Sequence, residues 1–196
     1  MTASDNSLPP WISGEFDVNS ILRGAPLILS RAQFLDDVER QLQITRKSID
    51  SRFAVLLVNL DNYTAIVTEK GRTAADMLIR AIVEPIGPLL ARHESVAILG
   101  GGTIGILLET ARLRVTPQDF AAEVVGEIKT AAIEGGVMIP SASVGIAKVT
   151  GNYVTAEDIL RDASIALGAA QSAGSDQTMQ FHRGMDEVVN QAPIAI

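Results

Sequence analysis

The sequence predicts an α+β domain: a central sheet of five strands with flanking helices, packed mainly on one side. Three observations lead there. Short continuous apolar runs of strand length alternate with longer stretches whose apolar residues recur at helical spacing. Three of the helical stretches open on a capping signal. A glycine cluster, Gly100-Gly101-Gly102, separates the apolar runs Val96-Ala97-Ile98-Leu99 and Ile106-Leu107-Leu108-Glu109, which makes strand, glycine turn, strand.

The elements follow in order. Residues 1–24 are polar and broken by Pro9, Pro10 and Gly14, and read as a lead-in. Trp11 and Ile12 there read as a tail packed on its own domain, the alternative being an anchor for a partner. Ser30 with Gln33 forms a capping-box pattern, and Phe34, Val38, Leu42 and Thr45, beside Leu35 and Ile49, mark one helical stripe. Phe53-Ala54-Val55-Leu56-Leu57-Val58 is a strand buried on both faces, ending in Asn59-Leu60-Asp61. Asn62 to Thr68 is a turn or short helix. Thr73 to about Leu90 is helical with Met77, Leu78, Ala81, Ile82 and Ile86 inward, and Pro85 and Pro88 interrupt or end it. Thr116-Pro117 with Asp119 starts a helix carrying Phe120, Val124 and Ile128, closed by Gly135-Gly136. Val137 to Val149 is a strand. Thr155 with Asp158 caps the last long helix, through Ile159, Leu160, Ala163, Leu167 and Ala170 to Gly174, and Gln177 to Phe181 is an edge strand. The domain thus spans 25–183, and 184–196 is a tail or linker.

Bulk properties exclude several classes of function. The net charge of −7 and the absence of a Lys/Arg cluster argue against a nucleic-acid surface. No cysteine is present, so there is no disulfide framework and no thiolate metal site, and His93 and His182 have no zinc-type spacing. No apolar stretch approaches membrane-spanning length and no signal-peptide pattern opens the chain, so a cytoplasmic protein without membrane contact is expected. Gly100, Gly102 and Gly105 satisfy G-x-G-x-x-G, but no amphipathic helix follows, which counts against a dinucleotide-binding enzyme.

The hairpin resembles the signature of the GGDEF domain, the diguanylate cyclase family, in which two glycines precede two acids and a phenylalanine. Here those positions read Gly100, Gly101, Gly102, Thr103 and Ile104, a vestigial signature loop without its acids. Other blocks resemble the family in the same order. Ser30-Arg31-Ala32-Gln33-Phe34 is similar to N-R-x-x-F, and Asn59-Leu60-Asp61-Asn62-Tyr63-Thr64-Ala65-Ile66 to D-x-D-x-F-K-x-I. Gly71 to Asp76 is similar to G-H-x-x-G-D, Ser143-Val144-Gly145-Ile146-Ala147 to S-x-G-I-A, and Ile159 to Leu167 to L-L-x-x-A-D-x-A-L. The resemblance implies the palm fold of nucleotidyl cyclases with its ferredoxin-like core.

The same resemblance implies a magnesium-triphosphate site, whose hard cation needs anionic oxygen ligands. The positions that would carry the ligands are Asn59, Gly102 and Thr103, none of them a carboxylate. Asp61 remains and reads as a structural group satisfied by nearby backbone N–H, a functional role being the alternative. Of the two guanine-reading positions, Val67 is apolar and Asp76 is retained. The phosphate-lysine positions fall at Thr64 and Gln171, and the inhibitory R-x-x-D falls at Ala91 and Glu94, with Arg92 adjacent. The expectation is a catalytically inactive GGDEF-like domain with no catalytic residue, metal or cofactor of its own. It would act as a regulatory or scaffolding module on protein partners in cyclic-di-GMP signalling, whether a second copy or an EAL domain. The alternatives are a non-catalytic sensor of GTP or cyclic di-GMP and a residual diguanylate cyclase.

Overall fold

The computed structural model describes residues 28–48, 52–91, 93–110, 116–134, 141–149 and 153–185. The lead-in with Trp11, the tail beyond Met185, the expected strand start at 137–140 and Gly135-Gly136 lie outside these residues. The described elements are β1 (Ile28–Leu29), α1 (Arg31–Lys47), β2 (Phe53–Leu60), α2 (Tyr63–Lys70), α3 (Arg72–Val83), a 3₁₀ turn (Glu84–Leu89), β3 (Ser95–Gly100), β4 (Thr103–Glu109), α4 (Pro117–Glu134), β5 (Ala142–Val149), α5 (Ala156–Ser172) and β6 (Thr178–Gln180).

The α+β fold with its central sheet is present, with six strands rather than five, in the order β1-β3-β4-β2-β5-β6. The additional strand is Ile28–Leu29, which pairs parallel to Val96–Ala97. Two residues show no alternation of their own, and only β3 alongside makes them a strand. β2, α3, β3, β4, α4 and β5 form the ferredoxin-like unit, and β2 lies antiparallel between β4 and β5.

The helices cover both faces, which corrects the expectation of one-sided packing. Ala54, Leu56, Val58 and Leu60 point toward α3 and α4, where Ile79, Ile82, Phe120, Val124 and Ile128 complete one core. Phe53, Val55 and Leu57 point the other way, toward Phe34, Val38 and Leu42 of α1 and Ile159, Ala163 and Leu167 of α5. A central strand apolar at successive positions needs cover on both sides, since each exposed leucine would leave about 1.5–3 kcal/mol of burial unrealised.

The capping signals operate as read. Ser30 and Gln33 exchange side-chain and backbone bonds at α1, and Thr155 and Asp158 do so at α5. At α4, Thr116 Oγ1 accepts from the Asp119 N–H at 3.2 Å and the Asp119 carboxylate accepts from the Thr116 N–H at 3.1 Å. The helix expected from Thr73 stops being α-helical at Val83, and Pro85 and Pro88 sit in the 3₁₀ turn that follows. Each proline lacks an N–H and crowds the carbonyl four residues back. The buried stripe of α3 is Ala75, Leu78, Ile79, Ile82 and Val83, rotated from the expected one, and Met77 and Ala81 are half-buried at its border.

Candidate functional site

Asn59 is the one half-buried position of β2 and stands near the end of the sheet that carries the β3–β4 turn. The register puts Asn59 between Thr103 of β4 and Ser143 of β5. Both ends of its amide are engaged. Nδ2 donates to the Gly101 carbonyl at 3.1 Å and to Thr103 Oγ1 at 2.9 Å, and Oδ1 accepts from Gln171 Nε2 at 3.0 Å. Gln171 reaches this point because α5 lies flush on β5. A Cβ on Gly145 would stand 2.1 Å from the Ala163 carbonyl oxygen and 2.3 Å from Leu167 N. The positions where the family resemblance would place two metal carboxylates and a phosphate lysine therefore meet as amide, hydroxyl and amide, a cluster with no formal charge.

Gly100, Gly101 and Gly102 have φ of 98°, 60° and 78°, the left-handed region in which a side chain is strained. The Leu60 N–H donates to the Gly102 carbonyl at 3.1 Å, tying the turn to the end of β2. Gly102 is buried, and a Cβ there would stand 2.6 Å from both Cβ and Cγ of Tyr63. Ile104, the last residue of the loop, is fully buried in the core beneath α3 and α4.

Tyr63 opens α2, and its hydroxyl donates to Asp76 Oδ1 of α3 at 3.0 Å. Burial first, and the Asp76 carboxylate second, raise the Tyr63 hydroxyl above its ordinary pKa, because both disfavour a phenolate. Val67 lies half-buried on α2 and offers no polar side-chain atom, and Thr64 is exposed on the same helix. One Asp61 carboxylate oxygen accepts from the Asp176 N–H at 3.2 Å. The other is buried with no hydrogen-bond partner, so backbone N–H groups satisfy only half of this carboxylate.

At the start of β3, the Glu94 carboxylate accepts from the Ala91 N–H at 2.8 Å and from the Glu109 N–H at 3.0 Å, and so closes its own loop. His93 pairs with Glu109. Among the described residues no three His, Asp or Glu side chains are grouped to hold a metal ion. None of the described helices is long and apolar enough to cross a membrane.

The structure thus joins Asn59, Thr103 and Gln171 directly, brings Asp76 to Tyr63, and sets Asp61 apart against Asp176. Sequence reasoning missed Tyr63, whose only signal is its aromatic place in the block after Asn59. It also missed Ser143, whose buried hydroxyl has no hydrogen-bond partner and which pairs with Asn59 across the strands.

Residues 27–177 match the family model described as "Diguanylate cyclase, GGDEF domain". The chain belongs to the GGDEF family. Relatives of this GGDEF chain include DgcE of Escherichia coli, a probable diguanylate cyclase, 27% identical over 152 residues that make up 75% of this chain and 13% of DgcE. MucR of Pseudomonas aeruginosa, a bifunctional diguanylate cyclase/cyclic di-GMP phosphodiesterase, is 29% identical over 160 residues, 81% of this chain and 23% of MucR. The GGDEF chain described here therefore matches less than a quarter of either relative's length. In fold it resembles the GGDEF domain of TpbB (YfiN) from P. aeruginosa, with a TM-score of 0.69 at 22% identity, covering 84% of this chain and 96% of that one. It also resembles the diguanylate cyclase SiaD, solved in complex with its activator SiaC, with a TM-score of 0.69 at 19% identity, covering 84% and 65%.

Proposed function

We propose that this GGDEF domain, a component of cyclic-di-GMP signalling by family, is catalytically inactive and acts as a regulatory or scaffolding protein-interaction module. The observation that carries the reading is the neutral cluster of Asn59, Thr103 and Gln171. A divalent cation bound to a triphosphate is held best by carboxylate oxygens, whereas the Asn59 amide carries no charge and its oxygen already accepts from Gln171. The buried Gly102 has no room for a side chain next to Tyr63. Relatives make a protein-contact role reasonable: SiaD is held in a complex by its activator, and MucR combines cyclase and phosphodiesterase in one chain. A second copy of this domain or a phosphodiesterase domain is the kind of partner proposed.

A second reading, a non-catalytic nucleotide sensor, is favoured by the retained, exposed Asp76. Incubation with GTP and magnesium or manganese, followed by chromatography, tests the main reading: no cyclic di-GMP above the no-protein control is expected. Product that scales with protein concentration overturns it. Calorimetric titration with GTP and cyclic di-GMP separates module from sensor, heat of binding without turnover favouring the sensor.

A further inference from the structure

We propose a phosphate-binding site at the opposite end of the sheet from the glycine turn, formed by Arg52, Lys148 and Thr110, that takes a small phosphorylated molecule. The strands converge there in register. The Thr110 N–H donates to the Arg52 carbonyl at 2.8 Å, so the end of β4 is tied to the start of β2. Ala54 pairs with Lys148, which makes Arg52 and Lys148 diagonal neighbours about 7–8 Å apart on adjacent strands. Strand alternation puts Thr110, Arg52 and Lys148 on the face that α4 covers, in line with Leu108, Ala54 and Ile146 of that core.

These residues line a cavity of about 290 Å³ together with Thr116, Pro117, Gln118 and Gln180, and among the described residues no acidic side chain lines it. That composition stands out in a chain with 23 acidic and 16 basic residues. The Arg52 guanidinium and the Lys148 ammonium have no hydrogen-bond or ion-pair partner among the described residues. The Thr110 hydroxyl oxygen is buried and also has no hydrogen-bond partner. A buried hydroxyl without a partner is costly, and two unpaired cations beside it present a fork, a point charge and a neutral donor to one oxyanion. The α4 N-terminus does not carry the site, because the Asp119 carboxylate already accepts from the N–H and hydroxyl of Thr116. The cavity lies about 20–25 Å along β2 from Asn59, so it is separate from the site described above.

Thermal melts of the full 196-residue chain test the proposal, in inorganic phosphate or pyrophosphate against chloride at matched ionic strength. A saturable rise is expected, about 3–6 °C at ten times the dissociation constant. It should vanish in the double variant Arg52→Gln/Lys148→Gln and weaken several-fold in Thr110→Val. Both cations are exposed, so these variants fold. Phenyl phosphate and diphenyl phosphate, run in parallel, tell a monoester ligand from a diester. A response equal to that of chloride, or one unchanged in the double variant, overturns the proposal.

Discussion

A Cβ on Gly102 would collide with Tyr63, 2.6 Å from its Cβ and Cγ, whereas one on Gly101 would meet nothing within 4 Å. Both glycines have positive φ, so the two positions separate backbone strain from steric conflict. Gly101→Ala should cost only the strain, about 1–2 kcal/mol, and the β-branched Gly101→Val about 1–3 kcal/mol. Gly102→Ala should cost clearly more, because Tyr63 is held by α2 and by Asp76. Urea and thermal melts of the variants check the ranking, and equal losses at the two positions would refute it.

Restoring the acids should not create a cyclase. In Asn59→Asp/Gly102→Asp/Thr103→Glu, the carboxylates at 59 and 103 face each other across paired strands, where like charges repel. The third is forced against Tyr63. Thr64, Val67 and Gln171 would still leave triphosphate and base poorly held, and positioning can be worth roughly 7–11 kcal/mol of a barrier. The expected outcome is a lower melting temperature, magnesium affinity at most, and no cyclic di-GMP by chromatography. Robust product would show that the substrate site is more intact than its residues indicate.

Asn59 and Gln171 should be energetically coupled. Their bond ties β2 to the last turn of α5, and Asn59 also holds the turn through Gly101 and Thr103. A double-mutant cycle with Asn59→Ala and Gln171→Ala should return about 0.5–1.5 kcal/mol of coupling, the lower part of the usual range because Gln171 is exposed. A value indistinguishable from zero in urea melts would mean that the contact adds nothing to the fold.

Two groups set a pH dependence at opposite limits. The Thr116 hydroxyl and then the Thr116 N–H lower the Asp119 pKa below its unfolded value near 3.8. The unfolded chain therefore binds this proton first, and the stability Asp119 contributes is present above that value and lost as pH falls through the depressed one. Asp119→Asn should flatten that part of the acid limb. Tyr63 is raised above its unfolded value near 10.0, chiefly by burial. Its contribution is present below that pH and is lost as pH rises through the raised value, so Tyr63→Phe should flatten the alkaline limb. Melting temperatures across the two pH ranges check both, and limbs unchanged in the variants would contradict them.

The amino-acid sequence by itself determined the four longer helices, the caps of three of them and the buried strands. A capping box such as Ser30 with Gln33 involves residues three apart, and an apolar run such as Phe53–Val58 declares its own burial. It also determined which side chains stand at Asn59, Thr103 and Gln171, and hence that no carboxylate is among them. Tertiary structure alone decided how those residues are used. Asn59 and Gln171 are 112 positions apart and meet because Gly145 lets α5 lie directly on β5. The strand at Ile28–Leu29, the second helical layer, Tyr63 against Gly102, and Arg52 beside Lys148 arise in the same way. Each depends on which face an element presents and what packs on it, and no local pattern of residues encodes that.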